Sequence, residues 1–307
     1  MMSKITITTT SFARYDKGPL ELLKANGFKV VLNPHKRKLK KKEILELCGD
    51  AEGIIAGTES LDAEVIGKLS ELKVISRCGS GLDNVDRNAA KKKGIMIFNT
   101  PDAPTRAVSE LTVGLILNAL REIPAMHGSI LDERWEKIMG HLLFGKKMGI
   151  VGFGRIGRNV AELLKPFGCQ IAYTDNAVKG KINGTRYLPF KRLLAWADII
   201  SFHVSGKKKI FGADELRIVK KGAWLINTSR GEIIDEEALY RALRNGRLMG
   251  AALDVFRNEP YKGPLKKLKN VILTPHVGSY AIEARIEMER ECVSNLLRGM
   301  GIKVKGG

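Results

Sequence analysis

The stretch at residues 149–157 has glycines at a spacing that suits a bound dinucleotide. Gly152, Gly154 and Gly157 form G-x-G-x-x-G between an apolar run typical of a buried strand and apolar residues at helical spacing. The first glycine permits a tight turn, the second lets the backbone approach a pyrophosphate, and the third allows close helix–strand packing. The pyrophosphate would bind the exposed N–H groups at the helix start. An ordinary strand–turn–helix is the alternative.

A second apolar run, residues 170–174, follows this helix and ends at Asp175. An acidic residue about 20 positions beyond the glycines, at the end of a strand, is where such proteins hold the ribose hydroxyls. The pattern therefore predicts a dinucleotide site rather than an isolated turn.

Polar side chains follow four of the strands predicted after the glycine motif: His203, Arg230, Asp254 and His276. Because the carboxyl ends of parallel strands meet at one edge of a sheet, we expect all four to face the crevice that contains the glycine turn. A bound dinucleotide indicates hydride transfer. Reduction of a carbonyl also needs a proton donor that titrates near neutrality, and either His276 or His203 can supply it.

The chemistry of Arg230 suits an acidic substrate. Its planar guanidinium can bind a carboxylate with two parallel hydrogen bonds and polarise an adjacent carbonyl. A carboxylate near the catalytic histidine would favour the charged imidazolium. Two alternatives stay open, because a single histidine at a strand end is often structural and Asp254 could simply cap a loop.

A second glycine-rich turn, Gly79-Ser80-Gly81, follows the strand predicted at Val74–Ser76. Backbone N–H groups in such a turn can bind an anion. The turn is therefore a candidate site for a substrate carboxylate, with a plain connecting turn as the alternative.

Short apolar strands alternate with helices along the chain, which predicts parallel sheets covered on both faces. The expected fold class is α/β, with two Rossmann-like or flavodoxin-like doubly wound domains and an active-site cleft between them. The expected domains are a substrate-binding (catalytic) domain at 1–99 plus 282–307 and an NAD-binding Rossmann domain at 100–281. The polar stretch 179–184 predicts a loop. The helix from Val108 to Leu120 is apolar on more than one face, which predicts burial in a two-fold dimer.

The composition predicts a soluble, cytoplasmic protein. Of 307 residues, 44% are hydrophobic, and no stretch approaches the ~18 apolar residues of a membrane span. The N-terminus enters a strand pattern without the apolar region of a signal peptide. The scattered cysteines contain no C-x-x-C pair, which predicts free thiols, and no metal site is expected.

The formal net charge of +19 points to anionic partners, which could be nucleic acid, an anionic membrane or small acidic substrates. The densest basic run, residues 36–42, lacks interleaved aromatic residues and leads into an amphipathic helix. This pattern favours a solvated loop and helix start over a nucleic-acid surface.

Longer motifs resemble those of the D-isomer-specific 2-hydroxyacid dehydrogenases, a family that includes D-3-phosphoglycerate dehydrogenase, glyoxylate/hydroxypyruvate reductase and D-lactate dehydrogenase. The motifs cover residues 149–157, 225–231, 253–260 and 274–278, with further similarity at 79–86 and 108–111. The resemblance extends over nearly the whole chain. It implies an NAD cofactor, hydride transfer between a D-2-hydroxy acid and its 2-keto acid, and a homodimer built through the dinucleotide domain.

The resemblance also implies residue roles. Arg230 would bind the substrate carboxylate and carbonyl, His276 would be the acid/base, and Glu259 would pair with it. The backbone around Ser80 and Gly81 would hold the carboxylate. The residues assigned to the cofactor are Gly152, Gly154, Arg155, Ile156 and Gly157 at the pyrophosphate, Asp175 at the adenine ribose, Thr228, Asp254 and Gly278 near the nicotinamide, and His203.

Two departures from the family pattern bear on the site. Phosphoglycerate-specific members often carry arginines after the third strand, where this chain has Ala56-Gly57-Thr58-Glu59. After His203 the chain has Val204-Ser205-Gly206-Lys207 in place of apolar-Pro-Leu-Thr. The positive charge nevertheless favours a phosphorylated substrate, so 3-phosphoglycerate and 3-phosphohydroxypyruvate are the expected pair. The alternatives are a glyoxylate/hydroxypyruvate reductase and, from another class, an NAD(H)-sensing corepressor-like binding protein.

Overall fold

A computed structural model describes residues 2–302 of the chain. Within those residues the chain forms two compact units. Unit 1 comprises the described residues of Met1–Pro104 and Ser279–Gly307, and unit 2 comprises Thr105–Gly278. These limits lie a few residues from the boundaries expected at 99/100 and 281/282. No helix in the described range is long and apolar enough to cross a membrane.

Unit 1 is built on a sheet of five parallel strands in the order β2-β1-β3-β4-β5, the flavodoxin-like order of a doubly wound sheet. The strands are β1 (Lys4–Ile7), β2 (Lys29–Leu32), β3 (Gly53–Ala56), β4 (Val74–Arg77) and β5 (Met96–Asn99). The helices between them are α1 (Gly18–Ala25), α2 (Lys41–Cys48), α3 (Ala63–Lys68) and α4 (Arg87–Lys92). A C-terminal helix at Ile282–Gly299 completes the unit.

Both faces of this sheet are buried, as the apolar strands predict. Ile54 and Ile75 pack into a cluster with residues of α2 and α3. Ile55 and Val74, which alternate with them along the strands, pack against Leu296 and its neighbours on the C-terminal helix. The period-two alternation of side chains thus assigns each strand residue to one of two cores.

The basic run forms the start of α2. The Glu43 side chain accepts hydrogen bonds from the Lys40 backbone N–H (2.7 Å) and from both terminal nitrogens of Arg37 (2.9 and 2.6 Å). Lys41 forms an ion pair with Glu64 at 2.6 Å. The run is therefore a solvated helix start with its own acidic partners, as the sequence predicts.

Unit 2 contains a sheet of eight strands in the order β13-β12-β11-β10-β6-β7-β9-β8. The strands are β6 (Lys147–Val151), β7 (Gln170–Thr174), β8 (Lys181–Ile182), β9 (Thr185–Tyr187), β10 (Ile199–Phe202), β11 (Ala223–Asn227), β12 (Leu248–Leu253) and β13 (Val271–Leu273). The helices are α5 (Ala103–Arg121), which begins two residues before the unit boundary, α6 (Ile123–Leu131), α7 (Arg155–Leu164), α8 (Phe190–Trp196), α9 (Ala213–Ile218) and α10 (Glu236–Arg244). The C-terminal helix of unit 1 is α11. The sheet is parallel except where β8 pairs with β9.

The prediction of a loop at 179–184 is wrong. Residues 181–182 form β8, which pairs antiparallel with β9 through Asn183 and Gly184. Both turn residues have positive φ, at 47° and 81°, and Asn-Gly is the preferred sequence for a two-residue hairpin turn of this kind. The turn chemistry therefore outweighs the polar composition of the two short strands.

The order of the strands locates the candidate dinucleotide site of unit 2. The glycine turn follows β6, which lies between β7 on one side and β10 on the other. This is the point where the direction of strand order reverses. In open α/β sheets, ligands bind beyond the carboxyl ends of the strands at such a point.

Candidate active site

The three glycines of the turn after β6 differ in what surrounds them. Gly152 has φ +92°, and a methyl group built there would lie 2.5 Å from the His203 carbonyl oxygen. At Gly157 it would lie 2.1 Å from the Gly152 carbonyl oxygen, whereas at Gly154 it would meet no atom within 4 Å. The first and third glycines are therefore required by packing within the protein. The second keeps open space in front of the helix, which fits close approach of a pyrophosphate.

The start of α7 supplies the hydrogen-bond donors for that space. Gly154 is the N-cap, and Arg155 and Ile156 are the first residues of a ten-residue helix. The first N–H groups of a helix have no intrahelical acceptor and attract anions. Arg155 is exposed and Ile156 half-buried. These residues can hold the pyrophosphate of a dinucleotide.

Asp175 lies at the end of β7, bonded to the glycine turn. Its Oδ2 accepts a hydrogen bond from the Phe153 N–H at 2.7 Å, and its Oδ1 accepts from the N–H groups of Ala177 (2.8 Å) and Val178 (3.1 Å). The half-buried carboxylate is therefore held in a fixed orientation beside the turn. This position suits the proposed contact with a ribose.

His203 is unsuited to proton transfer near neutral pH. Its Nε2 shares a hydrogen bond of 2.8 Å with the Ser201 hydroxyl. Its Nδ1 is buried, with no hydrogen-bond partner within residues 2–302. Burial lowers the pKa of His203 to about 3, so the ring is neutral at pH 7. Burial therefore argues against His203 and leaves His276 as the acid/base candidate of the two histidines that the sequence offered.

Asp254 organises the turn that carries His276. It is 1% exposed, and its Oδ1 accepts hydrogen bonds from the Thr274 hydroxyl (2.6 Å) and the Val277 N–H (2.8 Å), while Oδ2 accepts from the Gly278 N–H (2.8 Å). Burial raises the pKa of Asp254 despite these donors. The structure thus gives Asp254 the loop-holding role that the sequence left open as an alternative.

His276 and Glu259 form a hydrogen-bonded pair. The His276 Nδ1 lies 2.8 Å from Glu259 Oε2, and the Glu259 Oε1 accepts the Phe256 N–H at 3.0 Å. His276 has φ +56°, in the left-handed region, and half of its side chain is exposed. Because Nδ1 faces an acceptor-only carboxylate, Nε2 is the ring nitrogen that can exchange a proton with a substrate.

Arg230 belongs to a turn that packs on the segment carrying Glu259. A methyl group at Gly231 would lie 1.9 Å from the Phe256 backbone carbon, so the two backbones touch. The Arg230 Nη1 donates to the Ser229 carbonyl at 2.8 Å, and the Arg230 carbonyl accepts from the Asn227 side chain at 2.9 Å. The half-buried guanidinium is therefore held on the loop after β11, next to the loop after β12.

The remaining cofactor candidate, Thr228, precedes Arg230 on the same loop. It is 7% exposed, and its hydroxyl lies 2.9 Å from the Thr112 hydroxyl on α5. Within residues 2–302, no group of three His, Cys, Asp or Glu side chains is placed to hold a metal ion.

Ser80 and Gly81 lie in unit 1, on a turn that is tied to the end of β5. The Gly79 N–H donates to the Thr100 hydroxyl (2.7 Å), and the Asn99 side chain donates to the Ser80 carbonyl (2.7 Å). Ser80 is exposed and Gly81 half-buried. The turn is thus fixed by two neighbouring side chains while Ser80 remains open to solvent, as a carboxylate site requires.

Sequence reasoning missed Arg77, which lies at this turn. A methyl group at Gly79 would fall 1.3 Å from Arg77 Nη1, so the guanidinium occupies the space beside that glycine. In the sheet Arg77 is in register with Ala56, the last residue of β3. Phosphoglycerate-specific members of the family that the sequence resembles often carry arginines in the loop after β3. The pairing of β3 with β4 is the feature that could have indicated Arg77 as a cation near that loop.

Comparison with known proteins identifies the family to which these features belong. The family model "D-isomer specific 2-hydroxyacid dehydrogenase, NAD binding domain" matches residues 113–278. The chain is 40% identical over 276 residues to D-3-phosphoglycerate dehydrogenase of Methanocaldococcus jannaschii, covering 85% of this chain and 52% of that protein. It is 40% identical over 256 residues to glyoxylate reductase of Thermococcus litoralis, covering 78% and 77% respectively.

A solved structure has the same fold over the whole chain. The crystal structure of the TT0316 protein from Thermus thermophilus superposes with a TM-score of 0.90 at 33% identity, covering 99% of both chains. The chain spans about half the length of the phosphoglycerate dehydrogenase above and about three quarters of the glyoxylate reductase. The family model covers more than half of the chain. This protein therefore belongs to the D-isomer specific 2-hydroxyacid dehydrogenases, a family of NAD-binding oxidoreductases, and residues 113–278 are its NAD-binding domain.

Proposed function

We propose that this protein interconverts a D-2-hydroxy acid and its 2-keto acid with NAD, and that 3-phosphoglycerate and 3-phosphohydroxypyruvate are its substrate pair. The observation that carries the proposal is the His276–Glu259 hydrogen bond of 2.8 Å, on a turn that Asp254 holds with three hydrogen bonds. An acid/base pair in the same unit as a dinucleotide-binding turn suits reduction of a carbonyl.

Residues of unit 2 have separate roles in the proposed reduction. Arg230 binds the substrate carboxylate and polarises the neighbouring carbonyl. The imidazolium of His276 donates a proton from Nε2 to the carbonyl oxygen, and Glu259 stabilises the positive charge of the ring through Nδ1. A nicotinamide dinucleotide held at the 152–157 turn would supply the hydride. In the oxidative direction His276 accepts the hydroxyl proton.

Arg77 supports a substrate with a second anionic group. The departure at Ala56–Glu59 argues against a phosphorylated substrate, because no arginine stands in that loop. Arg77 lies one strand away, in register with Ala56, with its guanidinium beside the turn proposed to bind the carboxylate. A cation at that position, together with the net charge of +19, would favour a phosphate ester over an uncharged hydroxymethyl group.

Glyoxylate or hydroxypyruvate reduction is the second candidate. The chain matches the glyoxylate reductase of T. litoralis over a larger share of that protein, 77%, than of the phosphoglycerate dehydrogenase of M. jannaschii, 52%. Glu59, buried and hydrogen-bonded to the Gly57 N–H at 2.9 Å, also places an acid rather than a base in the loop after β3.

A substrate panel tests the proposal. NADH oxidation would be measured with 3-phosphohydroxypyruvate, hydroxypyruvate, glyoxylate and pyruvate as salt is raised from about 20 to about 200 mM, over which the screening length shrinks about three-fold. We expect the highest kcat/KM for 3-phosphohydroxypyruvate, falling steeply with salt. Preference for hydroxypyruvate or glyoxylate at every salt concentration would assign the smaller keto acids instead.

A matched pair of variants tests the role of Arg77. Arg77→Gln should lower the ratio of kcat/KM for 3-phosphohydroxypyruvate over hydroxypyruvate about ten-fold, which corresponds to about 1.4 kcal/mol. Arg87→Gln removes the same charge from the exposed start of α4 and should leave the ratio unchanged. NADH binding without turnover of any 2-keto acid would overturn the enzymatic proposal and favour an NAD(H)-sensing binding protein.

A further inference from the structure

In unit 1, the side chain of Asn84 connects the loop after β4 to the loop after β3. Its Nδ2 donates to the Glu59 carbonyl at 2.6 Å and to the Gly57 carbonyl at 3.1 Å. A side-chain amide nitrogen carries two donor hydrogens, so one Asn84 side chain can serve both carbonyls. Asn84 is half-buried, and the two hydrogen bonds are therefore partly shielded from competing water.

The loop that supplies these two carbonyls is itself held at the carboxyl edge of the sheet. Glu59 is 1% exposed, and its Oε1 accepts hydrogen bonds from the Gly57 N–H (2.9 Å) and from the hydroxyl of Thr8, which follows β1. The Thr8 N–H donates to the Ile55 carbonyl on β3 at 3.0 Å. The carbonyls of Gly57 and Glu59 are therefore fixed acceptors, and Asn84 binds its own loop to a rigid part of unit 1.

The 79–81 turn lies between two anchors along the chain. At its start, the Gly79 N–H donates to the Thr100 hydroxyl at 2.7 Å, and the Gly79 carbonyl accepts from the Thr100 N–H at 3.1 Å. Beyond its end, Asn84 makes the two contacts to the loop after β3. Loss of the Asn84 side chain would free the far side of the turn while its start remains attached to the end of β5.

The backbone around Asn84 has hydrogen bonds that do not depend on the side chain. The Leu61 N–H donates to the Asn84 carbonyl at 2.8 Å, and the Asp86 N–H donates to the Leu61 carbonyl at 2.9 Å. Residues 61 and 85 also form an isolated parallel bridge. An alanine at position 84 would retain these backbone contacts, so we expect the variant to fold and to differ mainly in the position of the turn.

We propose that Asn84 is a positioning residue for substrate binding. Its hydrogen bonds to the Gly57 and Glu59 carbonyls hold the 79–84 segment so that the backbone N–H groups of Ser80 and Gly81 are oriented toward the carboxylate of the keto acid. Donors that are ordered before binding gain affinity, because the ligand does not have to order them. The inference rests on the proposed function, since it takes the 79–81 turn as the carboxylate site.

Three substitutions at Asn84 test this role in the full-length protein. Asn84→Ala should raise the KM for each 2-keto acid about ten-fold, because two hydrogen bonds that hold the turn are lost. Its kcat should change by less than about two-fold, as expected when only binding is affected. Asn84→Asp should raise the KM further, since a carboxylate only accepts hydrogen bonds and would face two carbonyl oxygens. Asn84→Gln keeps the amide and should restore part of the affinity.

Two further measurements separate Asn84 from other residues of unit 1. All 2-keto acids share the carboxylate, so Asn84→Ala should leave the ratio of kcat/KM for 3-phosphohydroxypyruvate over hydroxypyruvate unchanged, whereas Arg77→Gln should lower it. Oxamate, a 2-keto acid analogue that is not reduced, provides a readout without turnover. Its dissociation constant from the enzyme–NADH complex should rise in parallel with the KM. Asn88→Ala removes an exposed amide from α4 and should change neither value.

Two results would overturn the inference. One is an Asn84→Ala enzyme whose KM and oxamate affinity equal those of the unaltered chain. The other is a loss of kcat with an unchanged KM, together with a smaller fraction of protein that binds NADH, which would show that Asn84 serves only the folding of unit 1. Both are distinguishable from failure of the proposed function, in which the unaltered protein would reduce none of the keto acids.

Discussion

At the scale of single residues, the proposed chemistry depends on the orientation of one imidazole ring, that of His276. Glu259 accepts from Nδ1 of His276, whose backbone is left-handed, with φ +56°, and whose side chain is half exposed. Asp254 accepts three hydrogen bonds, from the Thr274 hydroxyl and the N–H groups of Val277 and Gly278. The acid at the strand end therefore positions the turn, and Glu259 is the carboxylate proposed to assist His276.

Substitution of either member of this pair should lower kcat. His276→Ala should lower kcat about 10²- to 10⁴-fold, the usual contribution of general acid/base catalysis, while the dissociation constant for NADH stays near that of the unaltered enzyme. Glu259→Gln should give a smaller loss of kcat, because the amide leaves His276 in place but removes the negative charge that stabilises the imidazolium.

Steady-state kinetics and NADH fluorescence titration measure the two effects. Thr185→Ser, a conservative change on β9, is the control for losses of activity that arise from preparing a variant rather than from the His276–Glu259 pair. Activity of His276→Ala close to that of the unaltered enzyme would remove His276 from the mechanism.

Strands with a strong local pattern of apolar residues could be predicted from the sequence, and strands without such a pattern could not. β11 consists of five buried residues, Ala223–Asn227, and is one of the short apolar strands that the sequence pattern predicts. The hairpin β8–β9 was missed because its strands have two and three residues with little apolar character. Arg77 was missed because its register with Ala56 depends on strand pairing, which is not local in sequence.

Local sequence was also insufficient to separate the roles of His203 and His276. Both follow strands, and residue type alone made either a candidate proton donor. Burial separates them, since His203 bonds to Ser201 with its Nδ1 enclosed, whereas half of the His276 side chain is exposed. Burial is a property of the folded element, so the sequence could not distinguish the roles.

The burial of His203 predicts how the stability of unit 2 depends on pH. Its pKa is lowered from 6.5 to about 3 in the folded state. Below pH 6.5 the unfolded chain binds a proton at this residue that the folded chain does not. The contribution of His203 to stability is therefore complete above pH 6.5 and is lost as the pH falls from 6.5 toward 3.

Denaturation in urea checks this dependence. The free energy of unfolding of the unaltered chain should fall more between about pH 7.5 and about pH 5 than that of His203→Asn, which cannot titrate. Carboxylates titrate in both proteins, so their effect cancels in the comparison. An equal loss in both proteins would show that His203 is accessible to protons in the folded state.

At the scale of the whole molecule, unit 2 carries apolar surface that a monomer would expose to water. Four large side chains in the segment 135–144 are strongly exposed: Trp135 at 78%, Met139 at 93%, Leu142 at 68% and Phe144 at 74%. Exposed apolar surface of this extent is typical of an association site. The sequence placed the interface on α5, where Leu111, Val113 and Leu117 are half-buried within unit 2 itself.

We therefore predict a two-fold dimer that covers residues 135–144 in addition to α5. Light scattering at micromolar concentration should give twice the monomer mass of 33.9 kDa. Met139→Glu combined with Leu142→Glu should shift the protein to monomer, because a pair of carboxylates in an apolar interface is costly to desolvate. Met249→Glu, an exposed methionine on β12 outside this segment, should leave the dimer intact. A monomer in the unaltered protein would contradict the prediction, and a dimer that survives the double substitution would place the interface elsewhere.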